Sequence, residues 1–113
     1  MRRSDLILLH QITDAVNEAV GFTKDYSRQE LSSNRMLQLA AVRLLEIIGE
    51  AAAGISRDCR TTYPDIAWHK MAGMKQRLAR GYFDIDLDVL WQTLSGDLPP
   101  LLGQLERITS EEK

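Results

Sequence analysis

The chain has 113 residues, a formal net charge of −2 and an apolar content of 44%. These values predict one folded domain over residues 1–113 and exclude a disordered chain or a protein that binds polyanions through its overall charge. The single cysteine, Cys59, excludes an internal disulfide and fits a cytoplasmic location. The apolar run at residues 6–9 is too short for a signal peptide or a membrane span, so we expect no membrane association.

The N-terminal part of the chain predicts a long helix followed by a short one. Apolar residues recur at helical spacing from Leu6 to Val20, and Gly21 is placed to end this helix. The sequence SRQE at residues 27–30 matches a capping box, in which the first and last side chains each bond the other residue's backbone N–H. We therefore expect a short helical turn at Ser27.

A second long helix is expected to start after Ser32 or Ser33, either of which can cap it. We expect it to end at about Ala53, because Gly54 can adopt the left-handed conformation that stops a helix. Its apolar residues alternate in steps of four and three, a spacing that predicts close antiparallel packing in a bundle. They are Leu37, Ala41, Leu44, Ile48, Ala51 and Ile55. Arg43 and Glu46 lie beside this seam, where they either mark the boundary of the core or line a polar cleft.

The second half of the chain predicts further helices. A short one is expected over residues 56–62, because the residue before Pro64 disfavours helical backbone. Helical spacing resumes over residues 68–79, and the last element starts near Asp86. The prolines at residues 99–100 must kink or restart it. Together these elements predict an all-α bundle of four to five helices.

One basic stretch stands out in this slightly acidic chain. Residues 66–83 contain no acidic residue and carry four cations, Lys70, Lys75, Arg77 and Arg80. Because Gly81 is placed to end the helix, two interpretations are open. The cations either complement the dipole of a helix C-terminus or form a local patch that binds phosphate.

Metal and nucleophile patterns are weak in this sequence. The carboxylates of DIDLD at residues 84–88 are spaced as in a calcium loop, but Val89 and Ser95 stand where glycine and glutamate are needed. The spacing of Cys59 from the two histidines does not indicate a nucleophile and its base. We therefore expect neither a metal site nor a cofactor.

Three segments carry a family pattern across almost the whole chain: AAVRLLEIIGEAAAGIS, YPDIAWHKMAGMKQRLARGYFDIDLDVLW and DLPPLL. They resemble the HepT-like toxins of the HEPN superfamily. The resemblance implies an up-and-down α-bundle that pairs as a homodimer and cleaves RNA without a metal. It also implies that a partner antitoxin with an MNT-type nucleotidyltransferase domain neutralises the toxin.

The catalytic motif of that family is an arginine, a short spacer, a histidine, one further residue and a tyrosine. Aligned on GYF at residues 81–83, this chain has Arg80 at the histidine position and Lys75 at the arginine position. Arg77 is a neighbouring cation that the family often keeps. Tyr82 matches the motif, and the resemblance implies that the antitoxin transfers AMP to it.

The two replacements affect catalysis more than phosphate binding. Metal-free RNA cleavage needs a group that exchanges a proton with the ribose 2′-hydroxyl or the leaving oxygen near neutral pH. Arg80 cannot act as this base, because a guanidinium has a pKa above about 12, but it can bind a phosphate through two hydrogen bonds. Lys75 keeps its positive charge without the planar fork. The resemblance and the two replacements together imply a ribonuclease scaffold with impaired activity.

The origin of Arg80 and the function of the chain both have an alternative. The arginine either was selected or engineered to silence a toxic histidine, or belongs to a naturally inactive homologue. The alternative function is a non-catalytic helical module that docks a nucleotidyltransferase.

Overall fold

A computed structural model describes residues 1–78 and 85–112, without the Lys75 side chain. Over these ranges the chain forms α1 (Arg3–Asp25), α2 (Arg28–Ser33), α3 (Arg35–Ala53), α4 (Arg57–Thr62), α5 (Trp68–Ala72), α6 (Met74–Leu78), α7 (Leu87–Gln92), a π-helical turn (Thr93–Asp97) and α8 (Leu98–Glu111). The predicted all-α class is confirmed. No helix within the described ranges is both long enough and apolar enough to cross a bilayer.

The central helix is α1, which packs along α3 on one side and along α8 and the π-helical turn on another. A hydrogen bond from the Ser56 amide to Asp5 brings the start of α1 to the end of α3, so these two helices are antiparallel. Both α5 and α6 pack on α3, and α6 also contacts α7. The core includes side chains with no exposed surface, among them Leu9, Ile12, Val16, Leu45, Ile48, Leu94, Leu98 and Leu105.

The first helix is longer than predicted, because it continues through Gly21 to Asp25. Gly21 has no positive φ, and a Cβ built there would meet no atom within 4 Å. A glycine inside a helix costs only about 0.5–1 kcal/mol, which neighbouring packing can offset. The helix ends instead before the extended residue Tyr26, whose ring lies 6.2 Å from that of Phe22.

The capping box at the start of α2 is confirmed. The Ser27 hydroxyl accepts the Glu30 amide at 3.1 Å, and the Glu30 carboxylate accepts the Ser27 amide at 2.9 Å. The predicted serine cap of α3 is wrong. Ser32 and Ser33 belong to α2, and Asn34 caps α3, because the serine hydroxyls instead donate to carbonyls within their own helix.

The buried face of α3 is wider than the predicted seam. Leu45 has no exposed surface, whereas the predicted Leu44 is only half-buried. The face extends because α5 packs closely on Gly49, where an added Cβ would lie 3.1 Å from the Met71 carbonyl oxygen. The helix ends before Gly54 as predicted, but this glycine is right-handed, with φ −86°.

The helix predicted over residues 68–79 is divided at Gly73 into α5 and α6. The restart at residues 99–100 is confirmed. The Leu98 amide donates to the Thr93 carbonyl in a π-type bond, and both prolines fall in the first turn of α8. Proline is tolerated there, because the first amides of a helix have no carbonyl partner within it.

Candidate functional site

An open groove lies between α2, α6 and α7, and it contains one cation of the basic stretch. Its volume is about 700 Å³. We call it the α6–α7 groove, and it is lined in part by Arg28, Arg77, Asp88, Trp91, Gln92 and Asp97. Arg77 is exposed, and its Nη2 donates a long hydrogen bond of 3.4 Å to the Lys70 carbonyl.

Acidic residues from distant parts of the chain offset some of the positive charge. Lys70 Nζ lies 3.6 Å from Asp97 Oδ1, and Arg28 forms an ion pair with Asp88. The basic stretch is therefore free of acids along the sequence but not in space. Among the described residues, no carboxylate lies within ion-pair distance of Arg77. Its guanidinium is the cation at this groove that is most available to an anion.

Three predicted site residues fall outside what the structure describes. Arg80 and Tyr82 lie outside the described residues, and so does the side chain of Lys75, whose backbone belongs to α6. The described residues that precede and follow this part of the chain are hydrogen-bonded to each other, because the Asp86 amide donates to the Leu78 carbonyl at 2.8 Å. This bond connects the end of α6 to the start of α7. The roles of these three side chains stay predictions.

The two candidates on α3 have different surroundings. The Arg43 side chain is 61% exposed, and its Nη1 lies 3.6 Å from Glu50 Oε1. Glu46 is half-buried and lies one turn before Gly49, on the face of α3 that packs against α5. The described lining of the α6–α7 groove includes neither of them. Their role in a polar cleft stays a prediction.

A second polar region, which we call the bundle-end cluster, consists of Asp5, Ser56, Cys59, Tyr63 and Glu112. Asp5 is only 2% exposed and accepts both the Ser56 amide at 2.8 Å and the Ser56 hydroxyl at 2.6 Å. The Ser56 hydroxyl in turn accepts the Cys59 amide at 3.2 Å, which caps α4. The Tyr63 hydroxyl donates to Glu112 at 2.6 Å.

These contacts favour the protonated forms of the Cys59 thiol and the Tyr63 phenol. Burial raises the pKa of the Cys59 thiol, and the charges of Asp5 and Glu112 raise it further. The hydrogen bond to Glu112 raises the pKa of Tyr63 to about 12, and partial desolvation adds to the effect. A buried protonated thiol is a poor nucleophile, so Cys59 is a structural residue.

The described residues include no group of three or more histidine, cysteine or acidic side chains that could bind a metal ion. Asp86 and Asp88, the two described carboxylates of the DIDLD sequence, have other contacts. Asp86 caps α7 by accepting the Val89 amide at 3.2 Å, and Asp88 pairs with Arg28. These contacts account for Asp86 through helix capping and for Asp88 through charge pairing, whereas Asp84 lies outside the described residues.

Sequence reasoning did not identify Arg28 and Trp91 as parts of the groove. Arg28 appeared only within the capping box, and Trp91 appeared only as the last residue of a segment that carries the family pattern. The Arg28–Asp88 pair joins residues that are 60 positions apart. No local spacing could have indicated it, because the contact exists only after α2 and α7 have packed into the same fold.

Comparison with known proteins places the chain in a family. Residues 12–108 match the family model described as ribonuclease HepT-like. The chain is 36% identical over 108 residues to a probable ribonuclease HepT from Thermococcus cleftensis, covering 96% of this chain and 98% of that protein. It is 35% identical over 105 residues to the putative RNase MJ1380 from Methanocaldococcus jannaschii, covering 93% and 96%.

A further relative is the putative RNase TTE0752 from Caldanaerobacter subterraneus, which is 32% identical over 90 residues, or 80% of each protein. No solved structure matches the chain. The family match extends over most of the described helices, from α1 to α8. This chain therefore belongs to the ribonuclease HepT-like family.

Proposed function

We propose that this protein is the toxin of a cytoplasmic toxin–antitoxin pair, built on a HEPN ribonuclease scaffold whose RNA cleavage is impaired. The observation that carries the proposal is the open groove in which Arg77 has no carboxylate partner among the described residues. An exposed guanidinium in an open groove can bind an RNA phosphate through two hydrogen bonds. Family membership supports RNA as the substrate.

Lys75 and Arg80 complete the proposed phosphate site. The joined ends at Leu78 and Asp86 support this placement, because the chain leaves α6 and enters α7 beside the groove. The two cations can stabilise the charge that develops on the phosphate during cleavage. Neither supplies a proton acceptor near neutral pH, so binding is expected to outlast catalysis.

We propose further that two copies form a C2 homodimer in which their grooves meet. Support comes from the modest charge of a single groove, where Arg28 and Arg77 are opposed by Asp88 and Asp97. One such site can bind a phosphate, whereas two related by a two-fold axis form a longer positive cleft for an RNA backbone.

The proposed antitoxin is an MNT-type nucleotidyltransferase that modifies Tyr82. In this step the phenolic oxygen of Tyr82 bonds to the α-phosphorus of ATP, pyrophosphate leaves, and the phenolic proton passes to a base of the antitoxin or to water. The attached phosphate and nucleoside would compete with RNA for Arg77 and its neighbouring cations. Neutralisation would then need no change of fold.

Restoring histidine at position 80 tests the ribonuclease function. The Arg80→His variant should cleave single-stranded RNA without added metal and slow bacterial growth, whereas the unaltered protein and Arg80→Ala should do so weakly or not at all. A chelator in every reaction excludes a contaminating metal nuclease. A folded Arg80→His protein that neither cleaves RNA nor slows growth would contradict the proposal.

That negative result, together with a stable complex with the nucleotidyltransferase, would support the second candidate, a non-catalytic docking module. The observation favouring this candidate is that arginine and lysine occupy both catalytic positions of the motif.

The modification of Tyr82 is tested separately by incubating the protein with the nucleotidyltransferase and ATP and mapping the adduct by mass spectrometry. AMP should appear on Tyr82 and be absent from Tyr82→Phe. An undiminished adduct in Tyr82→Phe would exclude this site.

A further inference from the structure

The wall of the α6–α7 groove that α7 contributes differs chemically from its basic side. Trp91 and Val89 are half-buried and give this wall an apolar surface. Gln92 is exposed beside them and can both donate and accept hydrogen bonds. An aromatic ring next to an amide is the combination that proteins use to stack an unpaired nucleobase and contact its edge.

The fold restricts the position of this indole, because Trp91 is half-buried and packs against the hydrophobic core. Leu90, the residue before Trp91, has no exposed surface and anchors α7 in the core. The Trp91 carbonyl accepts the Ser95 hydroxyl at 2.7 Å, and the Thr93 hydroxyl donates to the Val89 carbonyl at 2.8 Å. A pre-positioned ring loses little conformational freedom on binding, so stacking on it is more favourable.

The acids of the groove favour a base over a phosphate at this wall. Asp88 and Asp97 both line the groove, and their charges repel a phosphate even though each is paired with a cation. A neutral base is not repelled, and its exocyclic amino groups can donate to carboxylates. Arg77 lines the same groove without a carboxylate partner among the described residues, so it suits the phosphate.

We propose that the α6–α7 groove binds one nucleotide of single-stranded RNA, with its base stacked on Trp91 and its phosphate on Arg77. The inference rests on the proposed function, since it assumes an RNA substrate, and assigns Trp91 as a positioning residue for that substrate. It predicts that binding depends on bases as well as on charge. Chains of phosphate without bases would contact Arg77 but not Trp91.

Tryptophan fluorescence can test this directly, because the chain has two tryptophans in different environments. Trp68 is 6% exposed, and its Nε1 donates to the Tyr63 carbonyl at 3.0 Å. In a Trp68→Phe protein the emission comes from Trp91 alone. A short oligoadenylate RNA should quench it, whereas inorganic polyphosphate with the same number of phosphates should bind without quenching. The converse variant, Trp91→Phe, retains Trp68 and should show no quenching by RNA.

Affinity measurements with labelled RNA complete the test. Trp91→Ala should weaken RNA binding roughly tenfold, while Trp91→Phe should retain most of the affinity, since a phenyl ring also stacks. Polyphosphate affinity should be unchanged in both. Circular dichroism confirms that the variants are folded. Equal losses for RNA and polyphosphate, or saturating RNA binding without quenching of Trp91, would overturn the inference.

The two proposals fail in different ways. If Arg80→His cleaves RNA but Trp91 is neither quenched nor needed for binding, the stacking site is wrong and the ribonuclease function stands. If Arg80→His is inactive while RNA still quenches Trp91, the groove binds RNA and the ribonuclease function is wrong.

Discussion

The bundle-end cluster and the α6–α7 groove are both polar, but their side chains have different partners. In the cluster, the carboxylate of Asp5 is buried and accepts two hydrogen bonds from Ser56. In the groove, the guanidinium of Arg77 is exposed and has one long bond to a backbone carbonyl. The cluster satisfies its polar groups within the protein, whereas the groove leaves a cation available to a ligand.

This difference separates stability from binding. Buried polar groups contribute to folding when they are fully hydrogen-bonded, and among the described residues no buried side-chain nitrogen or oxygen atom lacks a partner. Exposed ion pairs contribute little to stability, so the charges of the groove can be arranged for recognition. Substitutions in the cluster should therefore change the free energy of unfolding, and substitutions in the groove should change RNA affinity.

The largest effect is expected at Asp5. Asp5→Ala leaves the Ser56 amide and hydroxyl without their acceptor and should lower the free energy of unfolding by about 1.5–3 kcal/mol. The matched control is Asp58→Ala, because Asp58 forms an exposed ion pair with Arg2 at 2.7 Å and should lose at most about 1 kcal/mol. Urea denaturation measures both. Equal losses would show that burial of the Asp5 carboxylate adds nothing.

A change at Gly49 should affect both stability and RNA binding. An added Cβ meets the backbone oxygens of Met71 at 3.1 Å and Ala72 at 3.4 Å, so α5 must shift, and α6 follows it directly. After the gain in helix propensity, Gly49→Ala should cost about 1–2 kcal/mol and also weaken RNA binding.

The control is Gly21→Ala, which meets open space in α1 and should stabilise the protein by about 0.5–1 kcal/mol without changing RNA affinity. Thermal denaturation and RNA titration on both variants test this pair. If Gly49→Ala stabilises the protein as much as Gly21→Ala, the close packing of α5 on α3 is not restrictive.

Removing the Arg77 cation should change RNA affinity and not stability. Arg77→Ala should weaken RNA binding roughly tenfold, the effect of losing one charge-assisted contact, and reduce the salt dependence of binding by about one unit of slope. Arg43→Ala is the control, since Arg43 is paired with Glu50 outside the described lining of the groove. Titrations at several salt concentrations distinguish them, and equal losses would remove Arg77 from the proposed site.

The smallest effect is expected at Tyr63. Its pKa is raised to about 12 by the bond to Glu112, from about 10 in an unfolded chain. The neutral phenol therefore stabilises the fold below about pH 10, and this contribution is lost as the pH rises towards about 12. Tyr63→Phe should lose about 0.5–1 kcal/mol at neutral pH and lack this alkaline step. Denaturation of the unaltered protein and of Tyr63→Phe at a series of pH values from 8 to 12 measures this step. An equal decline of the free energy of unfolding in both proteins would contradict the prediction.

The sequence was most informative where structure depends on neighbouring residues. The capping box at residues 27–30 and the restart at residues 99–100 were predictable, because both depend on backbone donors within one turn. Gly21 misled the prediction, since glycine permits a helix end without requiring one. Whether it ends a helix depends on packing elsewhere in the fold.

The candidate site was predictable only in part. Arg77 was identified from the basic stretch, but its groove depends on contacts between α2, α6 and α7 that no spacing encodes. The pairing of Lys70 with Asp97 joins separate helices, and the Asp5–Ser56 bonds join residues 51 positions apart. Such contacts arise from tertiary packing, so charge patterns along the sequence overstated how basic the site is.

Photo-crosslinking of single-stranded RNA to the intact protein, with the attached peptides mapped by mass spectrometry, tests most directly whether the groove and not the cluster binds RNA. The account predicts that cross-links concentrate in residues 70–92, which include Arg77 and Trp91, and that Trp91→Ala reduces them. Cross-links concentrated in residues 1–5 or 56–63, around the bundle-end cluster, with residues 70–92 unmodified, would contradict it.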